Sequence, residues 1–174
     1  LLHGQALAGL GLLGSYLTPV LVSPDAPNPW VLFTYLAIVL AAAVVVASIR
    51  RWRFLAAAAY VGAGLWSLLY VVGSGAPSAL PVAMLHLVGF GVLAGVWLAR
   101  AGEAQGARAD AASVAASLLG FLVVIGLALR PDVAGGALWA AVLVAAMLAA
   151  AAWRGGATPL LHAAGVSLVL IVLR

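Results

Sequence analysis

The chain contains no cysteine and no lysine, and only 7% of its 174 residues are charged. The missing thiols exclude disulfides, thiolate metal sites and a cysteine nucleophile. The scarcity of charge excludes a water-soluble fold of this size, because soluble domains carry about 25% charged residues. All eight basic residues are arginine, and no basic run exceeds the four residues of Arg50-Arg51-Trp52-Arg53. A net charge of +4 spread so thinly marks helix ends rather than a nucleic-acid surface. No Asp, Glu or Arg falls inside an apolar run. Ion-coupled transporters place such groups at membrane depth, so the sequence offers no carboxylate relay.

What remains is 67% hydrophobic. The apolar runs approach the roughly 20 residues that span about 30 Å of hydrocarbon. They are rich in Ala, Leu, Val and Gly without alternation, so they read as helices rather than barrel strands. The expected fold is all-α: a polytopic transmembrane helical bundle of about seven spans, forming one domain over residues 1–174. The spans are Gly4–Val22, Trp30–Ile49, Phe54–Gly73, Leu80–Ala99, Ala111–Leu129, Val133–Trp153 and Pro159–Leu173. The last holds 15 residues and reaches only about 23 Å at 1.5 Å per residue. Together with a first residue that is not Met, this short span suggests a piece of a longer chain.

The connections carry turn and cap chemistry. Gly4, Gly9, Gly11 and Gly14 would let the first span approach its neighbours closely, and Pro19 is expected to kink or end it. Ser23–Pro29 is a proline-rich turn in which Asn28 caps the second span and Pro29 opens it. Ser74–Ala79 and Arg130-Pro131-Asp132 are turns, Asp110 suits the cap of the fifth span, and Thr158-Pro159 starts the seventh. Gly91 and Gly95 form a GxxxG helix-packing pattern of low specificity in so glycine-rich a chain. The loops after the second, fourth and sixth spans hold Arg50, Arg51, Arg53, Arg100, Arg108 and Arg154. The other side holds Arg130 and Arg174. Six against two places the 50–53 loop in the cytoplasm by the positive-inside rule. Trp52, Trp97 and Trp153 fall at the same ends, as an aromatic belt requires.

Candidate chemistry is sparse. Of the histidines His3, His86 and His162, the last two differ in depth by roughly 12 Å at 1.5 Å per residue, which suits neither a shared haem nor a shared metal. No cofactor and no catalytic residue is expected. Polar groups at depth are Ser15, Tyr16, Thr18, Thr34, Tyr35, Tyr60, Ser67, Tyr70, Ser113, Ser117 and Ser167. The candidates for a cavity or for helix contacts are Tyr16, Tyr35, Tyr60, Trp66, His86 and His162. For each of them, packing and hydrogen bonding outweigh substrate binding as the reading. No serine lies in a nucleophile-elbow motif. The segment Arg100–Asp110, with Glu103, is the one cluster of ionisable groups that a membrane enzyme for lipid-linked substrates would use.

Three stretches carry a family resemblance. Gly14–Ser23 (GSYLTPVLVS), Pro27–Leu36 (PNPWVLFTYL) and Arg50–Ala56 (RRWRFLA), with Gly64-Leu65-Trp66, resemble the predicted membrane proteins of domain of unknown function 2339. The match covers roughly the first 75 residues. It implies a long bacterial inner-membrane protein with many consecutive spans, and it carries over no activity and no site residue. The small-residue helix faces and the absence of charge at membrane depth point to a non-enzymatic structural or assembly module of a larger envelope protein. Its partners would be the bilayer and other transmembrane helices of the same chain or a membrane complex. The alternatives are a transporter or channel for a neutral or lipid-like substrate, and a membrane enzyme.

Overall fold

In the computed structural model, residues 2–22, 28–73, 75–100 and 110–173 are described. They form seven helices: α1 Leu2–Val22, α2 Pro29–Arg50, α3 Arg53–Val72, α4 Leu80–Ala99, α5 Ala111–Leu129, α6 Gly136–Trp153 and α7 Thr158–Val172. Six are long and apolar enough to cross a membrane, and α7 is a shorter apolar helix. In lipid a spanning helix satisfies its backbone internally, so only the ends need outside partners. The Asn28 side chain accepts from the Trp30 N–H at 3.0 Å. The Asp110 carboxylate accepts from the backbone N–H and the hydroxyl of Ser113, at 2.6 and 2.7 Å. Arg51 closes α2 in the left-handed region (φ 58°), which lets α3 begin two residues later as a tight antiparallel partner.

The helices stand in two rows. α2, α4 and α6 are successive neighbours in one, and α3, α5 and α7 in the other, with hairpins joining the rows. α1 leans on α3 and α2 at one edge. The ends show that neighbours within a row run parallel. At one end of the bundle, the Arg100 guanidinium at the close of α4 donates to the Ser48 carbonyl near the close of α2. The Arg154 guanidinium that ends α6 lies 5.1 Å from the Trp97 ring centre near the end of α4. Gly4 of α1 approaches Trp52 at the same end. At the opposite end, Arg130 after α5 donates to the Val71 carbonyl at the end of α3, at 2.9 Å. An isolated bridge also links Ser78 to Ala134 there.

The core between the rows is continuous. Its largest fully buried side chains include Phe33, Leu36 and Leu40 of α2, Leu85 of α4, Leu127 of α5, Leu143 and Met147 of α6, and Leu160 of α7. Backbones come close where glycine leaves room. A Cβ built at Gly64 would lie 2.6 Å from that of Leu119, and one at Gly126 would lie 2.8 Å from the Val71 side chain. These contacts join α3 to α5. Gly9, Gly11, Gly14, Gly91 and Gly95, by contrast, have nothing within 4 Å of such a Cβ. The GxxxG pattern of α4 and most of the α1 glycines therefore face outward. α1 buries Leu12 and Tyr16 instead.

One boundary differs clearly from expectation. The sixth helix begins at Gly136, because Val133–Gly135 form a turn with Val133 and Gly136 donating to the Arg130 and Val133 carbonyls and Gly135 at φ 72°. α1 runs through Pro19 and ends at Val22, the expected end of the first span. Most of the Ser23–Pro29 turn, the 101–109 segment with Glu103 and Arg108, the His3 side chain and Arg174 lie outside the described residues.

Candidate functional site

The six candidate residues separate into three places. The first is a seam between α1, α2 and α3. Proline has no N–H, so Pro19 leaves the Ser15 carbonyl, four residues back, without its helical donor. The Tyr35 hydroxyl of α2 donates to that carbonyl at 3.1 Å. The Trp66 indole N–H of α3 donates to the next carbonyl, that of Tyr16, at 3.0 Å. Tyr16 in turn sends its hydroxyl to the Ala59 carbonyl at 2.7 Å. Its ring lies where a Cβ on Gly62 would be, 2.5 Å away. This is how a proline persists inside a spanning helix: neighbouring side chains supply the donor that the backbone lacks.

The second place is a small cavity between α2, α3, α4 and α5. It is lined by Leu40, Tyr60, Ala63, Leu85, His86, Gly89, Phe90, Ala116 and Leu119, and it encloses about 10 Å³. That is room for about one water molecule. Its polar neighbours are already engaged. Tyr60 donates to the Gly89 carbonyl at 2.7 Å. The Ser67 hydroxyl donates to the Ala63 carbonyl at 2.8 Å and meets His86 Nε2 at 3.0 Å. With the Ser67 proton on the Ala63 carbonyl, the hydroxyl oxygen is free to accept from His86 Nε2.

The third place is the exposed face of α7, where His162 stands apart from the others. Among the described residues no group of three or more His, Asp or Glu side chains could hold a metal ion. No buried side-chain N or O atom among them lacks a hydrogen-bond partner.

All four tyrosines end on backbone carbonyls, since Tyr70 reaches that of Ser78 at 3.2 Å. The deep serines Ser67, Ser117 and Ser167 bond back to carbonyls of their own helices. Most of the deep polar groups are thus engaged in joining helices or within them. Ionisable groups gather at the two ends. Asp110 caps α5, and the buried Trp97 indole points at its second oxygen at 3.5 Å. Trp97 is therefore an anchored core residue, unlike the exposed Trp153. At the other end Arg130 pairs with Asp132 at 2.6 Å and holds α3 by its last carbonyls. The hydrogen bond from Arg130 keeps the Asp132 carboxyl below the ordinary carboxylate range.

The sequence marks Tyr16, Tyr35, Tyr60, Trp66, His86 and His162, but not Ser67 as the partner of His86 or Pro19 as the source of the carbonyl that Tyr35 takes. The Pro19 signal was available: a proline inside an apolar run frees one carbonyl, and an aromatic donor on a neighbouring span is the group to look for. No curated protein and no solved structure matches the chain. One family model does match, that of the predicted membrane proteins of DUF2339, and it does so over residues 1–173. The chain, with its apolar helices and internally satisfied polar groups, belongs to that family.

Proposed function

We propose that the chain is a non-enzymatic transmembrane module of a larger protein in the bacterial inner membrane, serving helix packing and assembly, with the 50–53 loop in the cytoplasm. The carrying observation is the interior. Its cavity holds about 10 Å³, whereas small-molecule sites measure roughly 300–1,000 Å³. Every polar side chain on its wall is bonded within the protein. A cavity of that size, with its polar wall bonded, supports a role in ordering helices over one in holding a substrate. Deleting α1–α7 from the intact protein should break up its native assembly on blue-native electrophoresis, and an unchanged assembly would remove the reading.

The transporter reading requires Tyr16, Tyr35, Tyr60 and His86 on one cavity wall, and of these only Tyr60 and His86 share one. Flux of a neutral solute into liposomes carrying the protein, abolished by Gly89→Leu, would restore it. The enzyme reading rests on Glu103 and Asp110. Asp110 is already committed to capping α5, and that commitment favours the structural reading.

A further inference from the structure

The row formed by α2, α4 and α6 ends in arginine three times at one rim: Arg50 and Arg51, Arg100, and Arg154. Each arginine sits where a helix exposes unpaired carbonyls and the negative end of its dipole, which accounts for a cation but not for the arrangement. The side chains are pinned along the rim. Arg100 reaches across to the Ser48 carbonyl of α2, and Arg154 lies over Trp97 of α4. Adjacent helix axes are about 8–10 Å apart, so the guanidiniums of Arg100 and Arg154 form neighbouring stations of one row. Each guanidinium carries five donors, and these contacts occupy a minority of them. Asp110 is the one carboxylate among the described residues at this rim. Its oxygens serve Ser113 and Trp97, and it pairs with neither Arg100 nor Arg154.

Directly beneath the row, one or two residues before each arginine, lie Ile49, Leu98 and Trp153, exposed by 73, 57 and 62%. Leu98 shares its helix face with Gly91 and Gly95, at spacings of seven and three residues, and neither glycine has any atom near its vacant Cβ position. A fixed cationic row above an open apolar shelf complements a molecule with an anionic head and a hydrocarbon tail. We propose that this rim is a binding site for an anionic phospholipid. The phosphate would take hydrogen bonds from Arg100 and Arg154, and an acyl chain would lie along the exposed face of α4. The row has to match a phosphate in place, because planar guanidinium groups recognise its oxygens in pairs.

The test uses the full-length protein in nanodiscs of equimolar phosphatidylglycerol and phosphatidylcholine, with native mass spectrometry counting the lipids retained. A guanidinium near an anionic surface contributes on the order of a fivefold preference. The Arg100→Gln/Arg154→Gln variant should therefore lower the phosphatidylglycerol-to-phosphatidylcholine ratio by roughly tenfold or more. Arg130→Gln, which removes the same charge at the opposite end, should leave the ratio intact. The lysine pair Arg100→Lys/Arg154→Lys should recover only part of it. An equal ratio for wild type, or an unchanged ratio in the glutamine pair, overturns the proposal. So does displacement of the retained lipid by millimolar inorganic phosphate, which would make the rim an anion site indifferent to the tail. If the glutamine pair does not fold, the wild-type ratio and its recovery in the lysine pair decide the matter.

Discussion

α1 and α5 are spanning helices of similar length, 21 and 19 residues, held by different forces. Half of the apolar window of α5 is buried, against 6% of that of α1. α5 stands between α3, α6 and α7. It buries Ala112, Ala116 and Gly120, the last against Met147 of α6 and Phe90 of α4, and lets Gly64 of α3 close onto Leu119. Lipid is as apolar as leucine, so dispersion between closely fitted surfaces is what keeps such a helix in place. α1 has little fitted surface. It is held by Tyr35 and Trp66 on the carbonyls around Pro19 and by Tyr16 on Ala59. The lesson is that an interior helix can rely on shape, while an edge helix needs directional bonds. In α1 a proline frees one backbone carbonyl, that of Ser15, as the acceptor for the first of them.

The largest effect should come from the same substitution made in both places. Gly64→Ala puts a Cβ 2.6 Å from that of Leu119 and should cost about 1–3 kcal/mol. Gly14→Ala meets open space and should stabilise α1 by a few tenths up to about 1 kcal/mol through helix propensity. Denaturant unfolding in detergent micelles reads both values, and equal signs would erase the contrast. Asp110→Ala removes the cap of α5 and the anchor of Trp97. It should cost about 1–2 kcal/mol in the same assay, because α5 adds a polar contact at its end to its fitted surfaces.

Tyr35→Phe should loosen α1 by about 0.6–1.7 kcal/mol. In a Pro19→Ala background, the restored N–H of residue 19 takes the Ser15 carbonyl, and most of that cost should vanish. A double-mutant cycle with no coupling would show that Tyr35 answers something other than the proline. The smallest effect belongs to the exposed Arg130–Asp132 pair. Because Arg130 lowers the Asp132 pKa, its contribution is present above the ordinary carboxylate value. It fades as pH falls through the depressed one. Acid titration of the wild type should show this loss, and Asp132→Asn should flatten it.

Much of this architecture was legible in the sequence. The caps at Asn28 and Asp110 mark the helix starts they were expected to mark, because an N-cap is a local interaction. The arginine bias grouped Arg50, Arg51, Arg53, Arg100 and Arg154 at one end, where the structure places them. The apolar run includes Val133, which the structure buries in a turn before the sixth helix, and hydropathy does not distinguish a buried turn from a helix. The glycines were harder. Gly91 and Gly95 match a packing pattern and face outward, while Gly64 and Gly126, in no such pattern, make the close contacts. These helices are apolar on all sides, so no stripe in the sequence marks the face that meets a neighbour. The candidate residues scattered for the same reason. Tyr16 and Tyr60 share a type and a depth but bond to different helices, and only the packing decides which.

The central claim is that the interior is closed to solvent and solute. The chain has no cysteine, so one introduced thiol reports unambiguously in this region. Ala63→Cys and Ala116→Cys line the cavity, and Pro131→Cys sits in an exposed turn. With a water-soluble methanethiosulfonate reagent applied to the protein in liposomes, rapid modification is expected at position 131 and none at 63 or 116. Modification of either cavity position at a rate comparable to that of 131 would contradict the claim.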